Sequence, residues 1–467
     1  MDREDTIAAI ATGRGGAISV IRLSGRRAFS IADKLFRAAN GRPLSEAAGG
    51  TVHFGRIVDA NGDLLDEVLA TVFRAPRSYT GDDLIEISCH GSAYIEKEIM
   101  RLLIAAGARS AAPGEFTLRA FLSGKMDLSQ AEAVADLIAS TDRGAHTLAV
   151  SQMRGGYCER LKQLRSELLE LGSLLELELD FSEEDVEFAD RRQLQKLMAG
   201  IMSEIDTLTA SFSLGNAVKE GIPVAIAGPP NVGKSTLLNA LAEEERALVS
   251  DIAGTTRDVI EESLCLEGIR YRFFDTAGIR TTEDRLEQMG IERAVESTGK
   301  ARIVLLLLDA SKGEPQALLR QAHELQQQLH LSDNRPVCIV LNKIDLLPAA
   351  VREQLEREMT TADLPTLFLS AKRRIGVDRL KSFLSGCVDR ERLDDGAAIV
   401  SNFRHYEALL HARESLARGL EGLKAGLSSD LLAEEVRAAL YQIGLVVGEV
   451  TTDEILGQIF SKFCIGK

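Results

Sequence analysis

Gly228-Pro-Pro-Asn-Val-Gly-Lys-Ser-Thr236 stands directly after the apolar run Ile222-Pro-Val-Ala-Ile-Ala227. The nonapeptide fits GxxxxGK[ST], and a strand ahead of it is the context that gives the match its meaning. Backbone N–H groups of such a loop, with the N-terminus of the helix that follows, surround phosphates. Lys234 then reaches β- and γ-oxygens, and the Ser235 hydroxyl ligates Mg²⁺. Outward from this loop the apolar runs IRYRFFD, IVLLLLD, PVCIVLN and TLFLS are separated by helical stretches. That texture predicts a mainly parallel sheet covered on both faces.

Further motifs stand at the ends of those strands, in the order a P-loop GTPase requires. Asp275-Thr-Ala-Gly278 ends IRYRFF, where the carboxylate holds Mg²⁺ through water and the Gly278 backbone senses a γ-phosphate. Asn342-Lys-Ile-Asp345 ends VCIVL. Asp345 accepts two hydrogen bonds from N1 and N2 of guanine, a pair that adenine does not offer. Ser370-Ala-Lys372 follows TLFL and closes over the base. The expected GTP contacts are therefore Asn231, Val232, Gly233, Lys234, Ser235 and Thr236, then Asp275, Thr276, Ala277 and Gly278, then Asn342, Lys343, Asp345, Ser370, Ala371 and Lys372. Between the first two motifs lies the polar loop Ser250, Asp251, Ile252, Ala253, Gly254, Thr255, Thr256, Arg257, Asp258. Its residues 250–256 are also expected at the nucleotide, with Thr256 as the switch threonine on Mg²⁺. The residue after Gly278 is Ile279, which cannot orient water as the glutamine of Ras-like enzymes does. With no arginine finger evident, a monovalent cation held by Asn231 and by carbonyls of the 250–255 loop would supply positive charge to the transition state.

The chain has 467 residues, enough for two or three domains. Hydrophobic residues make up 45% and charged residues 27%, and the longest apolar run, Ile303 to Leu308, stops at Asp309, far short of a membrane span. The start MDREDTIAAI has acids where a signal peptide needs a basic start, so a cytoplasmic protein without an export signal is expected. The formal net charge of −15 confines any RNA contact to a local basic patch or a partner's surface. Six scattered cysteines without a CxxC pair argue against zinc or a disulfide scaffold. Five read as small buried residues, and Cys464, in a polar terminal stretch, is the candidate functional thiol.

The first 120 or so residues alternate strand-like runs with glycine turns, a small α/β domain. From Ser129 to about Leu214 the pattern is helical, with Leu161, Leu164, Leu168, Leu171 and Leu175 forming a stripe that wants another helix. The acidic stretch Glu176 to Asp190 reads as a solvated face or loop. The helical stretches after Leu380 pair with those before Leu214, making the nucleotide domain an insertion. The expected domains are 1–124 (N-terminal α/β), 125–217 plus 383–467 (helical) and 218–382 (inserted Ras-like P-loop G domain).

GPPNVGKS, DIAGTTRD, DTAGIR, NKID and the ending Phe463-Cys-Ile-Gly-Lys467, with TGRGG, SYTGDD, IEISCHG and PGEFTLRAFLSGKMDL ahead of them, resemble the MnmE (TrmE) family of tRNA-modification GTPases over essentially the whole chain. The resemblance implies a homodimer that works with an FAD-containing MnmG/GidA-type partner to modify the wobble uridine of certain tRNAs at carbon 5, with the one-carbon unit drawn from 5-formyltetrahydrofolate or a related folate. It implies an N-terminal domain for folate and dimerisation, and G domains that dimerise when GTP and K⁺ are bound. K⁺ would be held by Asn231, Ser250, Ile252 and Thr255, Mg²⁺ by Ser235 and Thr256, and water oriented by Glu287 in TTEDRLEQMGIERA. Ser250 stands where the family often has Thr, and TGRGG is shorter than the usual loop. For folate the resemblance points to Arg22, Glu86, Lys125 and Lys467, groups suited to a pterin edge and an anionic glutamate tail.

Two other readings compete. A ribosome-assembly GTPase acting as an RNA-binding switch would need an RNA module. Gly13 to Gly16 matches a KH loop formally, but strand-like runs flank it where KH needs helices. A dynamin-like mechanical G protein would need a basic amphipathic helix, which the sequence lacks.

Overall fold

The computed structural model describes residues 5–13, 15–59, 61–180, 191–243, 261–275, 298–312, 314–331, 335–359, 364–388 and 398–466. Contacts divide the chain into one unit of Met1–Ile138, Gln152–Ile201 and His411–Lys467, and a second of Ala139–Ser151 and Met202–Leu410.

In the first unit the strands β1 (Ile7–Ile10), β2 (Ile18–Ser24), β3 (Phe36–Ala38), β4 (Thr51–Val58), β5 (Leu64–Phe73), β6 (Leu84–His90) and β7 (Arg109–Ser110) form a sheet in the order β3-β4-β5-β6-β2-β1-β7. Only β1 and β7 pair in parallel among the described strands of this sheet. Helices α1 (Ala28–Leu35) and α2 (Ala93–Ala105) cover one face, burying Ile31, Ile99 and Leu103 against Ile21, Leu23, Ile85, Ile87 and Val68. Period-two alternation then sends Arg22 and Glu86 to the opposite face. The Gly13–Gly16 match falls between the antiparallel strands β1 and β2, and not between two helices as a KH loop would.

The rest of this unit is helical: α3 (Glu115–Leu122), α4 (Leu128–Ala139), α6 (Gly156–Asp180), and later α13 (Ser429–Val447) and α14 (Asp453–Phe460). Leu161, Leu164, Leu168, Leu171 and Leu175 are all buried, and the helix they call for is α13, whose Leu432, Val436, Ala439 and Ile443 are buried in turn. Glu176 lies on α6 and pairs with Arg437 at 3.4 Å, while residues 181–190 of the acidic stretch lie outside the described residues.

The second unit holds α5 (Arg143–Met153) and a sheet built from β8 (Ile222–Ala227), β9 (Glu261–Leu266), β10 (Ile269–Asp275), β11 (Ile303–Asp309), β12 (Val337–Asn342) and β13 (Thr366–Phe368), in the order β13-β12-β11-β8-β10-β9. Every pairing is parallel except the β9–β10 hairpin at the edge. α8 (Lys234–Glu243) and α11 (Val377–Gly386) pack on one face, where Leu237, Leu241, Leu380 and Leu384 meet Ile226, Leu305 and Leu307. α9 (Pro315–Gln328) and α10 (Ala349–Met359) pack on the other, through Leu318, Leu355 and Met359 against Leu308, Ile339 and Leu341. Two covered faces explain why every residue of β11 and β12 is buried.

α7 (Arg191–Glu220) leads into this sheet, and α12 (Phe403–Ala425) follows it. In the second unit the two helices meet through Phe212 and Tyr406, stacked at 4.3 Å, and the Ser211 hydroxyl accepts from Val400 N at 3.0 Å. In the first unit the Arg191 guanidinium donates to Leu427 O at 3.3 Å. The fold is therefore the expected one, an N-terminal α/β part, a helical part and an inserted P-loop sheet domain.

The cysteines differ in part from expectation. Cys89, Cys158 and Cys338 are buried, whereas Cys265 and Cys387 are half-exposed because one sits on the edge strand β9 and the other caps α11. Burial pushes the Cys158 and Cys338 thiols up to about 12 and Cys89 to about 11, so these three are held as neutral thiols.

Candidate functional site

β8 is flanked by β10 and β11, so its C-terminal end opens at the switch point of the sheet, where α/β proteins bind ligands. The loop 228–233 leaves that end and enters α8 at Lys234. A side chain at Gly228 would collide with the Leu307 carbonyl, and one at Gly233 (φ +101) with the Asn342 amide, so both positions require glycine. Asn231 itself takes a left-handed conformation (φ 62). Lys234 is buried at the head of α8, its Nζ donating to Gly228 O at 2.6 Å and Pro229 O at 3.2 Å. The ammonium thus stands over the loop, while Ser235 and Thr236 are exposed in the first turn, where free N–H groups and the helix dipole favour an anion.

Asn342 joins three of the sequence motifs. Its Nδ2 donates to Val232 O at 2.7 Å and its Oδ1 accepts from Ala371 N at 3.0 Å, so the phosphate loop, the NKID loop and the SAK loop are fixed to one buried side chain. Ser370, fully buried, exchanges backbone bonds with Ile375 and accepts from Arg373 N at its hydroxyl (3.2 Å), which shapes the turn carrying the exposed Lys372. Asp345 is exposed in the 3₁₀ turn Ile344–Leu346, and its carboxylate has no partner among the described residues.

Lys343 reaches the other way. Its Nζ donates to Asn231 O and to Asp309 Oδ2, each at 2.7 Å. Sequence reasoning missed Asp309 as a site residue. Burial opposes ionisation of its carboxyl, but the bonds from Lys343 and from Ser311 outweigh that and hold it below the usual range. The available signal was a carboxylate ending the central apolar strand IVLLLLD, one strand from NKID.

Asp275 ends β10 opposite Ile226 in register, at the same edge of the sheet. Its side chain, together with Ser250, Asp251, Ile252, Ala253, Gly254, Thr255, Thr256, Thr276, Ala277, Gly278 and Glu287, lies outside the described residues, so the Mg²⁺, K⁺ and water-orienting assignments on them have no geometry here.

On the first unit, Arg22 and Glu86 are register partners across β2 and β6. Both Nε and Nη2 of Arg22 donate to Glu86 Oε1, at 2.9 and 2.7 Å, which leaves Oε2 without a partner among the described residues. Arg22 Nη1 donates to Gly466 O at 3.2 Å, so the C-terminal stretch reaches this pair. Tyr79 and Phe116, not anticipated, place their rings 5.3 and 5.5 Å from the same guanidinium. Lys125 is exposed and is linked to the pair only indirectly, since Thr80 bonds Ser24 at 2.7 Å and its carbonyl accepts from Ser123 at 2.7 Å. Cys464 is exposed, its carbonyl accepting from Gly114 N at 3.3 Å. Lys467 lies outside the described residues.

A family model described as the MnmE helical domain matches residues 128–464, and one described as the GTP-binding protein TrmE N-terminus matches residues 6–125. The chain is 50% identical to the tRNA modification GTPase MnmE of Flavobacterium johnsoniae, with all of both chains covered. It is 49% identical to the protein of the same name from Christiangramia forsetii, again over all of both chains. The solved structure of the FeoB G-domain from Methanococcus jannaschii is 26% identical and overlaps 35% of this chain and 96% of its own length, with a TM-score of 0.25. Matched from end to end by such relatives and by both family models, the chain belongs to the MnmE (TrmE) family of tRNA-modification GTPases.

Proposed function

We propose that this GTPase of tRNA modification couples GTP hydrolysis to rebuilding the wobble uridine of tRNA at carbon 5, together with an FAD-containing MnmG/GidA-type partner and a folate one-carbon donor. The observation that carries the nucleotide part is the pair of bonds in which Asn342 donates to Val232 O and accepts from Ala371 N, which holds the phosphate loop and both base-side loops together, with the Asp345 carboxylate exposed and without a partner among the described residues. Guanine offers that carboxylate two N–H donors and adenine does not. Ser235 and Thr256 hold Mg²⁺ in this reading. Asn231, Ser250, Ile252 and Thr255 hold K⁺ as two G domains close on each other, and Glu287 orients the attacking water.

The N-terminal domain (1–124) binds folate and dimerises. The helical domain is 125–217 with 383–467, and the G domain is 218–382. The Arg22–Glu86 pair supports the folate assignment, because Oε2 of Glu86 remains available to a pterin edge. Lys125 and Lys467 neutralise the glutamate tail, and Cys464 is the nearby thiol. No described helix is long and apolar enough to cross a membrane, and a cytoplasmic location follows from the substrate.

Asp345→Asn tests the base assignment. The variant should lose GTP hydrolysis and gain it with xanthosine triphosphate, whose oxygen at position 2 suits an amide donor. GTPase rates equal in KCl and NaCl would remove the K⁺ role. Normal wobble uridines by mass analysis, both in cells lacking the chain and in cells carrying Glu287→Ala, would remove the modification itself.

A further inference from the structure

Between Arg22 and Arg42 the chain carries Arg22, Arg26, Arg27, Lys34, Arg37 and Arg42 against one carboxylate, Asp33, although its formal net charge is −15. The structure separates these cations by what they touch. Arg22 is bound to Glu86, and elsewhere in the N-terminal sheet domain Arg56, Arg101, Arg109 and Arg119 each pair with a carboxylate. Arg27, Lys34, Arg37 and Arg42 are exposed and have no carboxylate partner among the described residues.

Their positions are fixed by neutral groups. The Arg27 guanidinium lies against Gly107, where an added Cβ would stand 3.1 Å from Nη2, and Lys34 Nζ donates to Ala106 O at 3.1 Å. Both cations therefore sit at the C-terminal end of α2. Arg37 Nη1 donates to Asp33 O at 2.8 Å. Arg42 stands just ahead of a segment pinned from both sides: the Asp33 carboxylate accepts from Leu44 N and Ser45 N at 2.7 and 3.3 Å, and Arg74, stacked 3.7 Å over Phe29, donates to Ser45 O at 2.5 Å and Ala47 O at 3.0 Å. Asp33 is thus committed to backbone amides and forms no ion pair with its basic neighbours among the described residues. Lys34 lies on α1, Arg27 caps its start and Arg37 follows its end in β3, tied back to the helix by its bond to Asp33 O.

We infer that this exposed flank of α1, with Arg27, Lys34, Arg37 and Arg42, docks the phosphate backbone of tRNA. In an acidic chain, long-range repulsion must be overcome locally, and a row of preplaced, unneutralised cations does so by releasing the counterions condensed on the polyanion. The assignment rests on the tRNA reading above.

The test compares the full-length wild type with two triple variants, binding unmodified tRNA across a KCl titration. Lys34→Gln/Arg37→Gln/Arg42→Gln removes three of the four cations. Arg56→Gln/Arg418→Gln/Lys424→Gln removes the same charge from other exposed positions. The first variant should bind about 30-fold more weakly at about 0.1 M salt, with a salt slope reduced by about 2 to 3, and should hydrolyse GTP at the wild-type rate without tRNA. The second should lose less than about 3-fold. Equal losses in both variants would show that only net charge matters and would overturn the surface while leaving the tRNA reading intact. Undiminished binding of the first variant would do the same, even if that variant lost affinity for anionic phosphatidylserine vesicles. A wild type that binds no tRNA would sink both readings.

Discussion

Replacing Asp309 by Asn tests whether the end of β11 governs the phosphate loop. The carboxylate is buried, with Oδ1 taken by Ser311 N at 3.1 Å and Ser311 Oγ at 2.7 Å, and Oδ2 by Lys343 Nζ at 2.7 Å. An amide of the same shape keeps one acceptor and turns a donor toward either Ser311 or the ammonium, so one charge-assisted bond is lost. Lys343 remains partly exposed, which places the pair between a surface ion pair worth ~0–1 kcal/mol and a buried one whose breaking costs ~3–5 kcal/mol; about 2 kcal/mol is expected. Because the same ammonium grips Asn231 O, roughly half of this loss, about 1 kcal/mol, should reach the nucleotide as a ~5-fold rise in Kd for fluorescent GDP. The folded-state pKa of Asp309 lies below its unfolded value. Its contribution is therefore fully present above about pH 4 and is lost only as pH falls through the lower folded value, so the difference between wild type and variant should be flat from about pH 8 to about pH 5. Lys343→Met completes a double-mutant cycle. If Asp309 acts through Lys343, the double variant binds GDP no worse than Lys343→Met alone. Fully additive effects, or an unchanged Kd in Asp309→Asn, would refute the linkage.

Three further outcomes follow from the geometry. Gly228→Ala should abolish GTP binding by calorimetry, because its Cβ meets the backbone carbonyl of Leu307 in a buried strand that has no room to yield. Leu168→Ala, at a fully buried position facing α13, should destabilise the helical part by about 2–5 kcal/mol in thermal unfolding while leaving GTP affinity unchanged. Glu86→Gln should weaken 5-formyltetrahydrofolate binding about 10-fold, since an amide cannot present two anionic oxygens to Arg22 and the pterin together; equal affinity would take Glu86 out of the folate site.

What the sequence disclosed and what it concealed divide along a physical line. Residues that touch the ligand must stand at strand ends in fixed order, and so Gly228 to Thr236, Asn342 to Asp345 and Ser370 to Lys372 were legible and come together at one end of the sheet. Strands β8, β11 and β12 of that sheet were legible for a related reason, since burial on both faces leaves long apolar runs such as Ile303 to Leu308. β9 was not among them, because at the edge, among its described side chains, Leu264 and Leu266 are buried while Glu262, Ser263 and Cys265 are not. Residues that act on other residues left even less trace. Asp309 is 34 positions from Lys343, and Tyr79 and Phe116 are far from Arg22 in the chain, so no local spacing announces these contacts. They become visible only once the sheet order places β11 beside β12 and once the SYTGDD and PGEF segments converge on β2. The same holds for the cations flanking α1. In sequence they are an ordinary run of charges, and only the structure shows that Asp33 is committed to Leu44 N and Ser45 N, so that Arg27, Lys34, Arg37 and Arg42 have no carboxylate partner among the described residues.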